Sequence, residues 1–199
     1  SGLSERIKKS FRKKFYDENG CLKAGTQTAH VLALAFDLAG DEFRQRTIDD
    51  LEALIDEWNG LSTGFLGTPH ICHVLKENGR VDAAYRLLMK KEYPSWLYPV
   101  IKGATTIWEH WDSIRTDGSF WSDSMNSFNH YAYGCIGDWL YSTILGIDTS
   151  EEEPGYHESI VSPVPGGGIT WAEGGCYTPY GLLEVKWSLD DGAFCLHVN

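Results

Sequence analysis

The sequence contains no run near the ~20 consecutive apolar residues that a bilayer-spanning helix needs, although 42% of its 199 residues are hydrophobic. No membrane role is expected. Basic charge is also scarce: 17 Lys and Arg face 28 Asp and Glu, a formal charge of -11. Nucleic-acid backbones are bound by basic surfaces that displace counterions, so no nucleic-acid partner is expected either. Acidity itself selects no partner and mostly keeps a protein soluble. The five cysteines, Cys21, Cys72, Cys135, Cys176 and Cys195, form no Cys-x-x-Cys pair, which argues against a cysteine zinc site. Thiols packed as small apolar groups are the better reading, and a Cys176–Cys195 disulfide has nothing to support it. His70, His73 and Glu77 share one helical face but do not form His-Glu-x-x-His, so capping and packing outweigh metal binding. No Gly-x-Ser-x-Gly elbow occurs, and Gly166-Gly-Gly168 lacks the Lys-Ser/Thr of a phosphate loop. No metal or cofactor is expected. The start, Ser1-Gly-Leu-Ser-Glu-Arg-Ile7, lacks the pattern of a signal peptide, and Ser1-Gly2 reads as a cloning remnant. In a piece of a longer protein a missing signal assigns no compartment.

What is present is helical periodicity over the first two thirds. Leu3, Ile7, Phe11 and Phe15 recur every four residues between charged positions, giving an amphipathic helix that Gly20 breaks. A second helix from Thr28 to Ala39 is apolar nearly all round and should be buried. Asp41 can cap a third, with Ile48, Leu51, Leu54, Ile55 and Trp58 on one face, ending near Gly60. Thr68-Pro69 starts a fourth that stops at Asn78-Gly79. Asp82 to Lys91 makes a fifth and Ser127 to Leu145 a sixth. Six helices with short connections predict hairpins packed about a shared axis. Glu151-Glu-Glu-Pro-Gly155 reads as a junction between a helical part, 1–150, and a β part, 151–199. In the latter, Ile160-Val161, Ile169–Trp171, Leu182–Trp187 and Ala193–Val198 alternate with turn residues, predicting an antiparallel sheet or part of a sandwich.

The segment from Tyr93 to Asp123 interrupts the helical rhythm with two prolines and four tryptophans. Long irregular segments on a rigid scaffold often carry function. Within it, Ala104-Thr-Thr-Ile-Trp-Glu-His-Trp-Asp112 sets Glu109 between Trp108 and Trp111. A second cluster, Met125-Asn-Ser-Phe-Asn-His-Tyr-Ala-Tyr-Gly134, mixes Asn126, Asn129 and His130 with aromatics. Such a mixture suits a sugar, whose C–H faces stack on rings while its hydroxyls pair with amides and carboxylates. A carboxylate pinned between aromatics is partly desolvated, which tends to tune it for proton transfer. The competing reading is a structural Glu held in a Trp-rich core. Trp96, Tyr98, Trp121 and Tyr133 divide evenly between cleft lining and core filling. Asp112, Asp117 and Asp123 either fix turns or orient a hydroxyl.

The runs Thr63-Gly-Phe-Leu-Gly-Thr-Pro69, Glu92-Tyr-Pro-Ser-Trp-Leu-Tyr98, Gly103–Asp112 and Asn126-Ser-Phe-Asn-His-Tyr-Ala132, in this order, resemble the bacterial α-L-rhamnosidases of glycoside hydrolase family 78. Pro163-Val-Pro-Gly-Gly-Gly168 and Thr178-Pro-Tyr-Gly181 fit the same resemblance. It implies a mainly α fold: part of an (α/α)6 barrel of helical hairpins, followed by a small antiparallel β-sandwich-like domain. It further implies hydrolysis of terminal α-L-rhamnosides with inversion, Glu109 as general base and His130 as a substrate-binding histidine. Trp96, Trp108, Trp111 and Asn129 join His130 as expected sugar contacts, and the partner is a rhamnose-containing glycoside or polysaccharide. The acidic motif that holds the family's general acid has no counterpart here, so the chain reads as the C-terminal part of an enzyme, inactive alone. A half-barrel would also expose lateral faces and self-associate. A non-catalytic sugar-binding module and a purely structural helical domain are the alternatives.

Overall fold

The computed structural model describes residues 2–199, so Ser1 of the Ser1-Gly2 pair lies outside the described residues. The chain divides into two compact units, one ending at Cys135 and one running from Ile136 to Asn199. Both meet upstream of the expected junction at Glu151–Gly155.

The first unit is helical. α1 (Gly2–Phe15) carries the anticipated apolar stripe but buries none of its residues. α2 (Gln27–Ala35) is capped by Thr26, whose side chain accepts the Ala29 N–H at 3.2 Å, and it buries His30, Val31, Ala33 and Leu34 as its all-round apolarity predicts. It packs antiparallel on α3 (Gly40–Glu57) as a helical hairpin, and α4 (Thr68–Glu77) pairs in the same way with α5 (Val81–Met89). α2 also packs on α4, joining the two hairpins into one core with Ile48, Leu51, Ile71 and Leu75 at its centre. Asp41 does not cap α3. That helix begins one residue earlier with Ala39 at its cap, and Asp41 sits in the first turn, where it still favours the positive end of the helix dipole. A short α6 (Leu97–Ile101) was not expected; Ser95 starts it by accepting the Tyr98 N–H at 3.1 Å.

The predicted sixth helix begins late. Residues 127–131 form no helix because their backbone groups are engaged elsewhere: Ser127 exchanges hydrogen bonds with Glu109, and the His130 N–H donates to the Ile107 carbonyl at 2.8 Å. Helical turns start only at Ala132–Cys135, a 3₁₀ turn.

The second unit opens with α7 (Ile136–Trp139) and a π-helical turn, Leu140–Leu145, which ends at Gly146 in the left-handed conformation. β1 (Ile147–Thr149) and β2 (Ser159–Val161) form an antiparallel ribbon, and β3 (Trp171–Thr178), β4 (Gly181–Asp190) and β5 (Ala193–Val198) a three-stranded antiparallel sheet in that order. Leu145, Ile147 and Val185 form the core between ribbon and sheet, and the Trp187 indole N–H donates to the Ile144 carbonyl at 2.6 Å. Helical turns and strands thus share one hydrophobic core, which is why the second unit starts at Ile136. Cys176 lies opposite Leu183 and Cys195 opposite Ser188, with β4 between their strands; all five cysteines are free thiols.

Candidate active site

The irregular stretch after α5 is built from turns tied to one another. The Tyr98 hydroxyl donates to the Ile114 carbonyl at 2.9 Å, and Ile114 bridges Phe120 across a tight turn. Asp117 closes that turn by accepting the Ser119 N–H at 2.9 Å and the Ser119 hydroxyl at 2.7 Å, bonds that hold its carboxyl below the usual range. Of the two roles considered for Asp117, this is turn fixing. The Trp121 N–H then donates to the Ser113 carbonyl at 3.1 Å, which brings the Trp121 ring face to face with His110 at 3.6 Å between centroids.

Glu109 sits where this stretch meets the second cluster. Its N–H donates to the Ser127 carbonyl at 2.9 Å, and the Ser127 N–H returns a bond to Glu109 Oε2 at 2.8 Å. Among the described residues no hydrogen bond is made to Oε1. The side chain is half-buried. One oxygen is therefore fixed by a backbone donor while the other stays open, a suitable state for a carboxylate that must receive a proton.

The flanking tryptophans turn inward. Trp108, Trp111 and Trp96 are 5%, 9% and 8% exposed. Trp111 stacks on Tyr133 at 3.7 Å and meets Trp96 edge-on at 5.5 Å, while its N–H donates to the Thr63 carbonyl at 3.4 Å. The Trp96 N–H donates to the Tyr133 carbonyl at 2.9 Å, and Trp108 meets Phe128 edge-on at 5.3 Å. Burial pushes the Tyr133 phenol up to about 12, with Tyr93 and Cys135 adding to it. The three tryptophan rings are packed into the protein, and the indole N–H groups of Trp96 and Trp111 are already engaged by backbone carbonyls. A cavity of 40 Å³ lies among Trp96, Trp108, Trp111 and Tyr133.

The groups left facing outward are Trp121, Phe128, the exposed Asn129, and His130. The Asn129 N–H donates to the Ser127 hydroxyl at 3.2 Å, and among the described residues its side-chain amide makes no hydrogen bond. His130 lies against Phe65, ring on ring at 4.8 Å and 16°. In the sequence only its place between Gly64 and Gly67 marks Phe65 out. The structure thus gathers all four runs, with Thr63 and Phe65 of the first, Trp96 of the second, Glu109 of the third and His130 of the fourth in one connected set. Among the described residues, no three His, Cys, Asp or Glu side chains could hold a metal together.

Helical hairpins that present a carboxylate and a histidine from aromatic-rich loops are the build of a hairpin-type glycosidase domain. Residues 1–144 match the model of the bacterial alpha-L-rhamnosidase 6 hairpin glycosidase domain, and residues 146–199 that of the bacterial alpha-L-rhamnosidase C-terminal domain. The chain belongs to the bacterial α-L-rhamnosidase family. An alpha-L-rhamnosidase from Streptomyces avermitilis is 44% identical over 196 residues, which cover 98% of this chain and 19% of that protein. One from Formosa agariphila is 41% identical over 199 residues, covering 98% and 21%. Among solved structures, the Streptomyces avermitilis enzyme complexed with L-rhamnose superposes with a TM-score of 0.95 at 43% identity, covering 99% of this chain and 19% of that one. The Aspergillus terreus enzyme gives 0.90 at 39% identity, covering 98% and 22%. The chain therefore spans about a fifth of the length of these relatives.

Proposed function

We propose that the chain is the C-terminal part of an inverting α-L-rhamnosidase that hydrolyses terminal α-L-rhamnosides, with Glu109 as its general base. The observation that carries this reading is the Glu109 carboxylate, pinned at Oε2 by the Ser127 N–H and open at Oε1. In an inverting mechanism one carboxylic acid protonates the leaving oxygen while a second carboxylate activates water on the opposite face, the two standing ~6.5–9.5 Å apart. Glu109 takes the proton from that water. His130 and Asn129 offer hydrogen bonds to sugar hydroxyls, and the exposed ring of Trp121 offers an apolar face. Trp96, Trp108 and Trp111 support the site from within the protein. The general acid comes from sequence outside these 199 residues, so the chain owns one half of the reaction and is inactive alone.

The family membership and the complex of a relative with L-rhamnose support the choice of sugar. The test is the stereochemistry of the first product. Proton NMR of the full-length enzyme acting on an aryl α-L-rhamnoside should show β-L-rhamnose before mutarotation. Initial release of the α anomer would mean retention and remove the base role from Glu109. Sugar binding without hydrolysis would favour a non-catalytic module.

A further inference from the structure

The loop from Gly60 to Thr68 is anchored far more firmly than its exposed tip requires. Gln27, fully buried on α2, donates to the Gly60 carbonyl at 2.8 Å and accepts the Ser62 N–H at 2.8 Å. Thr68 closes the other end, its hydroxyl donating to the Gly64 carbonyl at 2.8 Å and meeting the Thr63 hydroxyl at 2.8 Å. At Gly67 a Cβ would come within 2.9 Å of Thr28 Oγ1 and 3.2 Å of its Cα, so the loop lies directly on α2. The Thr63 carbonyl accepts the Trp111 indole N–H at 3.4 Å, tying the loop to the Glu109 segment.

What this anchored loop carries to the site is one side chain. Phe65 is 44% exposed, stacks on His130 and touches Tyr133 at 5.2 Å, thereby bridging the histidine to the buried Trp111–Tyr133 pair. The Ala132 N–H donates to His130 Nδ1 at 3.4 Å, so in the neutral ring Nδ1 is the acceptor and Nε2 bears the proton. The amide selects the tautomer and the ring stack selects the plane. We infer that Phe65 is a positioning residue that fixes the His130 imidazole with its Nε2–H aimed at a substrate hydroxyl, so that affinity for the sugar depends on Phe65 through His130. This rests on the substrate-binding role proposed for His130.

The test is a double-mutant cycle in the full-length enzyme on an aryl α-L-rhamnoside, using Phe65→Leu, Phe65→Met, Phe65→Tyr and His130→Ala. Losing an aromatic pair is worth about three- to tenfold. Phe65→Leu and Phe65→Met should therefore raise KM by that factor with kcat largely kept, as expected when binding common to ground and transition states is lost. Phe65→Tyr, which retains the stack, should restore the wild-type KM. Phe65→Leu added to His130→Ala should raise KM no further. A wild-type KM in both non-aromatic variants, or additive effects of Phe65→Leu and His130→Ala, would overturn the inference while leaving His130 as a sugar ligand. An unchanged KM in His130→Ala would remove that role itself, and the inference with it.

Discussion

At the scale of single residues, the same chemical group behaves according to where the fold leaves it. Cys72 is buried, and desolvation, with Cys135 beside it, pushes its thiol up to about 12; Cys195 is exposed on β5. Only the thiolate is a nucleophile. Iodoacetamide at pH 8 should therefore label Cys195 quickly and Cys72 only after denaturation. Peptide mass spectrometry showing equal labelling rates in the native protein would contradict the packing of α4. Asp37 illustrates charge. Its carboxyl is held below the usual range by its hydrogen bond to Lys8, aided by Arg44 at 2.8 Å. A carboxyl whose folded pKa is depressed contributes stability above its unfolded pKa and loses it as pH falls through the folded value. The contribution is thus present at neutral pH and is lost progressively as pH falls below ~4 through the depressed folded value. Asp37→Asn should lower Tm slightly at pH 7 and by less at pH 3, the small size reflecting an exposed pair. Equal effects at both pH values would show that the charge is irrelevant.

At the scale of elements, most helices were legible because their apolar periodicity and breakers agree. α1, α3, α4 and α5 follow the stripes, glycines and Thr68-Pro69 that announce them. The start of the sixth was not, since a helical pattern from Ser127 competes with backbone pairing to Ile107 and Glu109 that only the fold creates. The expected run Ile169–Trp171 meets β3 only at Trp171, because Gly174-Gly175 breaks the β-prone pattern of the strand itself. Gly174 is there for proximity: a Cβ would meet Leu145 Cδ1 at 2.7 Å. Two substitutions test how elements are joined. Gly146 has φ 76° and stands so close to the Ser162–Pro163 backbone that a Cβ would reach Pro163 N at 2.1 Å. Gly146→Ala should cost about 2–4 kcal/mol, read by chemical denaturation; a change under about 0.5 kcal/mol would mean that this corner relaxes freely. Gln27→Leu leaves the Ser62 N–H and the Gly60 carbonyl without their partner, and the Leu54 carbonyl with the Trp58 N–H alone. It should cost about 2–4 kcal/mol and also raise KM, because the loop carrying Phe65 loses its anchor. Lost stability with an unchanged KM would separate the anchor from the site.

At the scale of the molecule, the sequence brings forward Glu109 and His130 as the proposed centre but not the depth of the residues around them. Glu109 and His130 could be singled out from residue types and motif order, yet nothing in a one-dimensional pattern shows that Trp96, Trp108 and Trp111 face inward. Trp96 and Trp111 are held by Tyr133 and Thr63, which accept their N–H groups while Tyr133 stacks on Trp111, and Trp108 is held by Phe128, all partners distant in sequence. α2 is covered as expected, whereas α1 leaves Leu3 and Ile7 more than half exposed along a groove with Phe11 and Phe15. In keeping with the half-barrel proposal, the isolated 199-residue chain should associate through this stripe. Sedimentation across a concentration series should show mass rising with concentration for the chain and falling back to monomer for Ile7→Glu. A monomer at all concentrations would mean that the exposed stripe is tolerated in water.

The central claim is that Glu109 removes a proton from the attacking water, and one measurement meets it head-on: kcat and L-rhamnose affinity of Glu109→Gln in the full-length enzyme. The amide keeps the shape and can still accept the Ser127 N–H, but it cannot take up a proton. The account predicts a kcat lower by about 10²–10⁴-fold with L-rhamnose bound nearly as well as by the wild type. Turnover near the wild-type rate would contradict it and return Glu109 to a structural carboxylate between two tryptophans.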